Sequence, residues 1–165
     1  MKTAIITGAT SYLGIELVVR LVREGVRVHV IIRTDSDVAR LILRSPSIDI
    51  HTHDGTQNSL QNIFSIVRPD TVFHLASKYV REEEPEDIKA LISSNITFGC
   101  QVLEAAGNSS VRNVINTGSY FQFNDGGKPP INLYGVTKNL FTKILDYYTR
   151  SKKFSSTSLI IYDVY

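Results

Sequence analysis

Tyr134 and Lys138 stand four residues apart in Tyr-Gly-Val-Thr-Lys, which puts a phenol and an ammonium on one helix face, one turn apart. A tyrosine with an ordinary pKa of about 10 is a poor base near neutrality, and a nearby positive charge favours its phenolate. Such a pair can move a proton to or from a substrate oxygen. Far upstream, Thr7-Gly8-Ala9-Thr10-Ser11-Tyr12-Leu13-Gly14 lies between a short apolar run and an amphipathic one. Gly8 allows a tight reversal after a strand, and Gly14 allows the next helix to pack closely. The helix N-terminus then offers N–H groups and a positive dipole end to a phosphate, which suits a dinucleotide pyrophosphate. The two stretches together point to redox chemistry on an alcohol or ketone.

Those groups meet only if the intervening elements bring them together. Ala4-Ile5-Ile6 reads as a buried strand ending at Gly8, and Tyr12 to Arg23 as a helix closed by Gly25. Strands are expected at Val26–Ile32, Ile48–Ile50, Thr71–Leu75, Val111–Asn116 and Ser158–Tyr162. Helices are expected at Val38–Leu43, Gln57–Val67, Glu86–Ala106 and Leu133–Tyr148, the second stopped at Arg68-Pro69 because a residue before proline avoids the helical region. Near-continuous apolar strands alternating with helices imply an α/β fold, a doubly wound parallel sheet of about six strands with helices on both faces. In that Rossmann arrangement ligands bind beyond the carboxyl ends of the strands, where Gly8, Arg33, Asp54, Leu75 and Ser119 all fall.

At 165 residues the chain is read as one domain, residues 1–165. Net charge is +2 with no basic run, so nothing in the composition calls for nucleic acid. The lone Cys100 excludes an internal disulfide and cannot anchor a metal site by itself, as expected of a reducing cytoplasm. The apolar stretch near the N-terminus is too short for a secretory signal, and no segment approaches the roughly 18 apolar residues of a membrane span. A cytoplasmic protein with no membrane partner and no metal is expected. The charged run Arg81–Asp87 reads as a solvated loop and helix start, and Asn124–Pro130 as a turn-rich loop bordering the site. His51, His53 and His74 sit at separate strand ends without metal-ligand spacing, and a structural role is expected for each.

The glycine turn and the Tyr134–Lys138 pair resemble the extended short-chain dehydrogenase/reductase family, also called the NAD-dependent epimerase/dehydratase family. Its usual Thr-Gly-x-x-Gly-x-x-Gly is matched at Thr7, Gly8 and Gly14, with Ser11 in place of the middle glycine. By the same resemblance, His53-Asp54-Gly55 corresponds to the aspartate that holds adenine. His74-Leu75-Ala76-Ser77 corresponds to a His-x-Ala-Ala segment on the ribose and nicotinamide side, and Asn95 to a helix of the form Asn-x-x-Gly-x-x-Asn-x-Leu-Glu-Ala. The implied cofactor residues are Gly8, Thr10, Ser11, Tyr12, Leu13, Gly14, Arg33, Asp54, Gly55, Leu75, Ala76, Ser77, Asn95, Tyr134 and Lys138. At the end of strand two, arginine suits a 2′-phosphate and an acid suits a 2′-hydroxyl. Arg33 precedes Asp35, so NADP is expected and NAD is the alternative.

The catalytic set implied is Ser119, Tyr134 and Lys138, with Thr117 a less favoured substitute for Ser119. Hydride passes between nicotinamide and a carbonyl carbon, Tyr134 protonates the oxygen, Ser119 hydrogen-bonds it, and Lys138 tunes Tyr134 and orients the ribose. Gly118-Ser119-Tyr120-Phe121 carries no acid where the family's 4,6-dehydratases have one, which disfavours dehydration. The segment around Asn132-Leu133-Tyr134 looks most like nucleotide-sugar 4-ketoreductases. A C4 epimerase with tightly bound NAD remains open, as does a non-catalytic dinucleotide-sensing regulator. The resemblance stops at Tyr162–Tyr165, where the family continues into a small substrate lobe, so the cofactor-binding part alone is expected. A homodimer through the helices 86–106 and 133–148 is the implied assembly.

Overall fold

The computed structural model describes residues 1–80, 84–123, 130 and 132–162. Arg81–Glu83, nearly all of the loop at 124–130 and the end of the chain beyond Tyr162 lie outside the described residues. Six strands run β1 (Thr3–Thr7), β2 (Arg27–Arg33), β3 (Asp49–His53), β4 (Thr71–His74), β5 (Asn113–Ser119) and β6 (Ser155–Ile161). They form one parallel sheet in the order β3-β2-β1-β4-β5-β6. The order reverses between β1 and β4, and that switch point opens a crevice at the carboxyl ends of the strands.

Successive residues of β1 face opposite layers, as a period of two requires. Ala4 and Ile6 pack with Ile15, Val18, Leu21, Val28, Val30 and Leu41 under α1 (Tyr12–Arg23) and α2 (Ala39–Arg44). Ile5 faces the other way, joining Ile31, Val72 and Val114 under α3 (Gln57–Val67), α5 (Phe98–Gly107) and α6 (Leu133–Ser151). Each fully buried Ile, Leu or Val contributes about 1.5–3 kcal/mol, so two such layers hold the sheet flat-on from both sides. The doubly wound reading therefore stands.

Element ends differ from expectation where pairing or packing overrides local pattern. β5 runs on to Ser119 because β6 begins earlier, at Ser155, and stays in register up to Ser119 against Ile161. β3 reaches His53 by pairing with Arg33. The expected long helix at 86–106 is interrupted: α4 (Asp87–Ile92) and α5 flank a π-helical turn at Ser93–Thr97. Such widened turns cluster at functional sites, and this one carries Asn95. Arg68, ahead of Pro69, avoids the helical region by turning left-handed, with φ 47°. Among the described residues no helix is long and apolar enough to cross a membrane.

Candidate active site

β1 ends in a turn whose geometry demands glycine twice. Gly8 has φ +73°, and a Cβ there would lie 2.6 Å from the amide nitrogen of Ala76 at the end of β4. A Cβ on Gly14 would meet the Gly8 carbonyl and, at 2.8 Å, the Ala9 Cα. Gly14 thus lets the helix close on the turn itself more than on the sheet. Ser11, standing for the family's middle glycine, has its hydroxyl engaged: it donates to Gly8 O at 2.8 Å and accepts from Gly14 N at 3.1 Å. The hydroxyl caps α1, and the turn keeps its shape with a side chain present.

From this turn a cleft of about 840 Å³ runs across the strand ends. It brings together Gly8, Thr10, Ser11, Arg33, Asp54, Gly55, Leu75, Ala76 and Ser77, all expected from the sequence. Tyr12, Leu13, Gly14, Asn95, Ser119, Tyr134 and Lys138 stand outside its lining. At the β2 end, the Arg33 guanidinium pairs with Asp35 at 3.2 Å, both exposed to solvent. Asp54 accepts from Thr56 N at 2.8 Å and Thr56 Oγ1 at 2.7 Å, which hold its carboxyl below the usual range.

The second half of the site sits at the ends of β4 and β5. Asn132 caps α6 by accepting from Gly135 N at 2.8 Å, placing Tyr134 and Lys138 in its first turns. Gly135 has no room for a Cβ against the Phe121 carbonyl, so α6 lies tight on the 3₁₀ turn Tyr120–Gln122 that follows Ser119. The Gln122 side chain accepts from Ser119 N at 3.0 Å and fixes that turn. The result is a buried phenol, 9% exposed, with the hydroxyls of Ser119 and of Ser77 from the cleft placed to favour its ionised form.

Burial pushes the Tyr134 phenol above its ordinary value, while the two serine hydroxyls favour phenolate and pull the other way. The Lys138 Nζ stands 5.9 Å from the centre of the Tyr134 ring and donates to Thr117 O at 2.8 Å. Burial lowers Lys138 to about 8. Tyr79 adds an edge-on ring contact to Tyr134, centroids 4.9 Å apart.

Asn95 has a different place from the one expected. Its Oδ1 accepts from Ser77 Oγ (3.1 Å) and Lys78 N (2.7 Å), and its Nδ2 donates to Lys78 O and Thr137 Oγ1, both at 3.0 Å. Buried at 4% exposure, it clamps the loop after β4 to α6. Several participants were missed from sequence. Thr7 shares a hydrogen bond with His74 Nδ1 (2.8 Å) and accepts from Ala76 N (3.3 Å), tying β1 to the cleft floor. Lys78 lines the cleft and pairs with Asp87 at 2.9 Å.

The chain matches the NAD dependent epimerase/dehydratase family model over residues 4–165. A CDP-abequose synthase of Yersinia pseudotuberculosis is 30% identical over 164 residues, covering 98% of this chain and 55% of the relative. A UDP-glucose 4-epimerase of Neisseria meningitidis is 25% identical over 162 residues, covering 88% and 48%. The chain spans about half the length of these curated relatives. Among solved structures, a UDP-glucose 4-epimerase from Brucella ovis in complex with NAD aligns with a TM-score of 0.87 at 20% identity, over 99% of this chain and 52% of that one. A UDP-glucuronic acid 4-epimerase from Bacillus cereus in complex with NAD aligns at 0.82 and 20%, over 99% and 57%. These structural likenesses speak to the fold. With the glycine turn, the strand order and the family match in agreement, this chain belongs to the NAD-dependent epimerase/dehydratase family.

Proposed function

We propose that residues 1–165 form the dinucleotide-binding domain of an NAD(P)-dependent oxidoreductase acting on a nucleotide-activated sugar, reducing its 4-keto group. One observation carries this reading: Ser77 lines the cleft that opens at Gly8 and is joined through Asn95 and Thr137 to the Tyr134 carbonyl. The acid–base group and the nucleotide groove thus share a wall. The chain's relatives, a CDP-abequose synthase and a UDP-glucose 4-epimerase, favour a nucleotide-linked sugar.

The cradle fits a dinucleotide, because Gly8, Thr10 and Ser11 line the cleft where β1 gives way to the N-terminus of α1, which suits a phosphate. Gly8 to Gly14 would take the pyrophosphate, Arg33 and Asp35 the adenosine ribose, Asp54 and Gly55 the adenine. Leu75, Ala76 and Ser77 would face the nicotinamide. When bound, the nicotinamide supplies the hydride. Tyr134 donates its proton to the developing alkoxide, Ser119 hydrogen-bonds the same oxygen, and Lys138 holds a positive charge behind them on the Thr117 carbonyl.

Isothermal titration with NADP(H) and NAD(H), repeated on Arg33→Asp, tests the cofactor half. A preference for NADP(H) that Arg33→Asp reverses is expected, and no binding of either dinucleotide would refute the reading. For the chemistry, Tyr134→Phe in the full-length protein should lose ketone reduction. Unchanged reduction would favour a dinucleotide-sensing regulator instead, a reading that the buried Tyr134–Lys138 pair counts against.

A C4 epimerase with tightly bound NAD is the second reading. The Arg33–Asp35 pair favours it, since the guanidinium is already engaged by a carboxylate. Dinucleotide co-purifying with full-length protein decides between them: NAD for the epimerase, none or NADP for the reductase. We further propose a homodimer through α4 and α6. Ile88 and Ile92 on α4, and Val136, Leu140 and Tyr147 on one face of α6, are exposed apolar residues at helical spacing. Sedimentation should show a dimer that Leu140→Asp dissociates. Cytoplasmic residence belongs to the same proposal, and cell fractionation checks it.

A further inference from the structure

One histidine on the wall of the cleft has no hydrogen-bond partner among the described residues. His29, Ile31 and Arg33 of β2 stand in register with Asp49, His51 and His53 of β3, and strand alternation turns His53 to the face covered by α5. There its ring lies against Phe98, with centroids 5.2 Å apart and planes tilted by 35°. The residue is only 7% exposed, yet it lines the cleft together with Phe98, Asp54 and Gly55. His53 Nδ1 is sealed from solvent and makes no hydrogen bond. It is the sole such side-chain atom among the described residues.

A buried polar atom without a partner weakens a fold, and such atoms are rare. Against Phe98 an apolar side chain would pack without that defect, so the use of an imidazole here lies at its other nitrogen. Burial keeps the ring neutral at pH 7, with one N–H to place. An unsatisfied N–H is a rarer defect than an unsatisfied acceptor, which assigns the proton to Nε2 and leaves Nδ1 bare. Nε2 is not sealed and has no protein partner, so its donor opens on the cleft. Next in the chain, Thr56 N and Thr56 Oγ1 both donate to Asp54 Oδ1, which leaves Oδ2 to accept from elsewhere. Gln101 of α5 donates to Gly55 O at 3.0 Å and pins this loop to the helix that carries Phe98.

We infer that His53 is a base-binding residue of the cleft, its Nε2–H donating to a ring nitrogen of adenine while Asp54 Oδ2 accepts from the neighbouring amino group. The inference rests on the reading of the cleft as a dinucleotide groove. Adenine offers an amino donor beside a bare ring nitrogen, the complement of one acceptor oxygen and one imidazole N–H. Neither group has to give up a protein partner to make these bonds, so the subsite is ready before the ligand arrives. The defect at Nδ1 is the cost of holding Nε2 in that place.

The test needs no turnover. Long-range proton–nitrogen NMR correlations report the tautomer of each of the 4 histidines, and His53→Gln assigns residue 53 by the signals it removes. The Nε2–H form is expected, and the Nδ1–H form overturns the inference. Saturation with NADH or NADPH, whichever binds, or with ADP should shift the Nε2 signal, whereas nicotinamide mononucleotide should not. By calorimetry, His53→Leu should weaken binding of the dinucleotide and of ADP about 3–10-fold, the share of one hydrogen bond. His53→Gln, whose amide nitrogen reaches the place of Nε2, should recover most of that loss. Thermal melts separate binding from packing: His53→Leu removes the orphaned nitrogen and should melt no lower than the parent. Unchanged affinity in His53→Leu overturns the inference. So does an equal loss in both variants with a lower melting temperature, which returns His53 to a structural role. No dinucleotide binding by the parent protein removes the oxidoreductase reading and the base subsite with it, whereas binding with an unmoved Nε2 signal counts against His53 alone.

Discussion

Lowering the pH from 7 to 5 should weaken this fold chiefly through His74. Its ring is fully enclosed between Phe98 and Phe141, with centroids at 5.8 and 5.3 Å, and shares its Nδ1 with Thr7. Burial, then the charge of Lys138, lowers its pKa to about 3. The sign follows from linkage: a histidine whose folded pKa is depressed stabilises the native state above the unfolded pKa of about 6.5, and that stability is lost as pH falls below it. At pH 7 the unfolded chain binds about a quarter of a proton at this site, and at pH 5 nearly a whole one, while the folded ring stays neutral. The difference amounts to roughly 1.9 kcal/mol between the two pH values. For a domain of this size that lowers Tm by about 4–8 °C. His29, His51 and His53 are also lowered by burial, with Asp49 and Asp54 opposing, so they add in the same direction. Urea unfolding followed by circular dichroism at both pH values, on the parent and on His74→Gln, isolates the His74 share. The variant will be less stable at pH 7, but its loss on going to pH 5 should be smaller by nearly 2 kcal/mol. Equal losses in the two proteins would show that His74 does not stay neutral, and the reasoning would fail.

Gly8→Ala forces a side chain into a left-handed turn and against the Ala76 backbone, so it should cost about 2 kcal/mol or more and abolish dinucleotide binding, read by denaturation and calorimetry. Asn95→Ala strands the Lys78 amide and carbonyl together with two hydroxyls. A loss of about 2–4 kcal/mol is expected, with faster amide exchange at Lys78 as the check. Ser11→Gly should keep the fold, because the turn already has the family's shape, and lose only about 0.2–0.4 kcal/mol with the α1 cap. Thermal melts of both proteins measure it.

Much of the architecture was legible in local pattern because local physics produces it. The apolar run before Gly8, the spacing of Leu17, Val18 and Leu21, and the Gly25 stop each describe one element and its neighbour. α1 and α3 accordingly fall at the expected ends. Strand ends were less legible, since β5 and β6 extend only because they pair with each other, and pairing is a property of two segments. The cofactor groove followed the glycines for the same local reason: φ +73° and a backbone at 2.6 Å leave no alternative residue at position 8.

The chemistry of the phenol was a different matter. A helical spacing of four put Lys138 beside Tyr134, but it could not foretell that the ammonium would donate to the Thr117 carbonyl or that burial would raise the phenol. Likewise Asn95 promised a cofactor contact and instead spends all its hydrogen bonds on a loop and on α6. Residue types and periodicity decide which elements exist and which ends carry reactive groups, because those follow from short-range sterics and burial. Which donor finds which acceptor depends on distances between segments far apart in the chain. Those distances are settled when the helices close on the sheet.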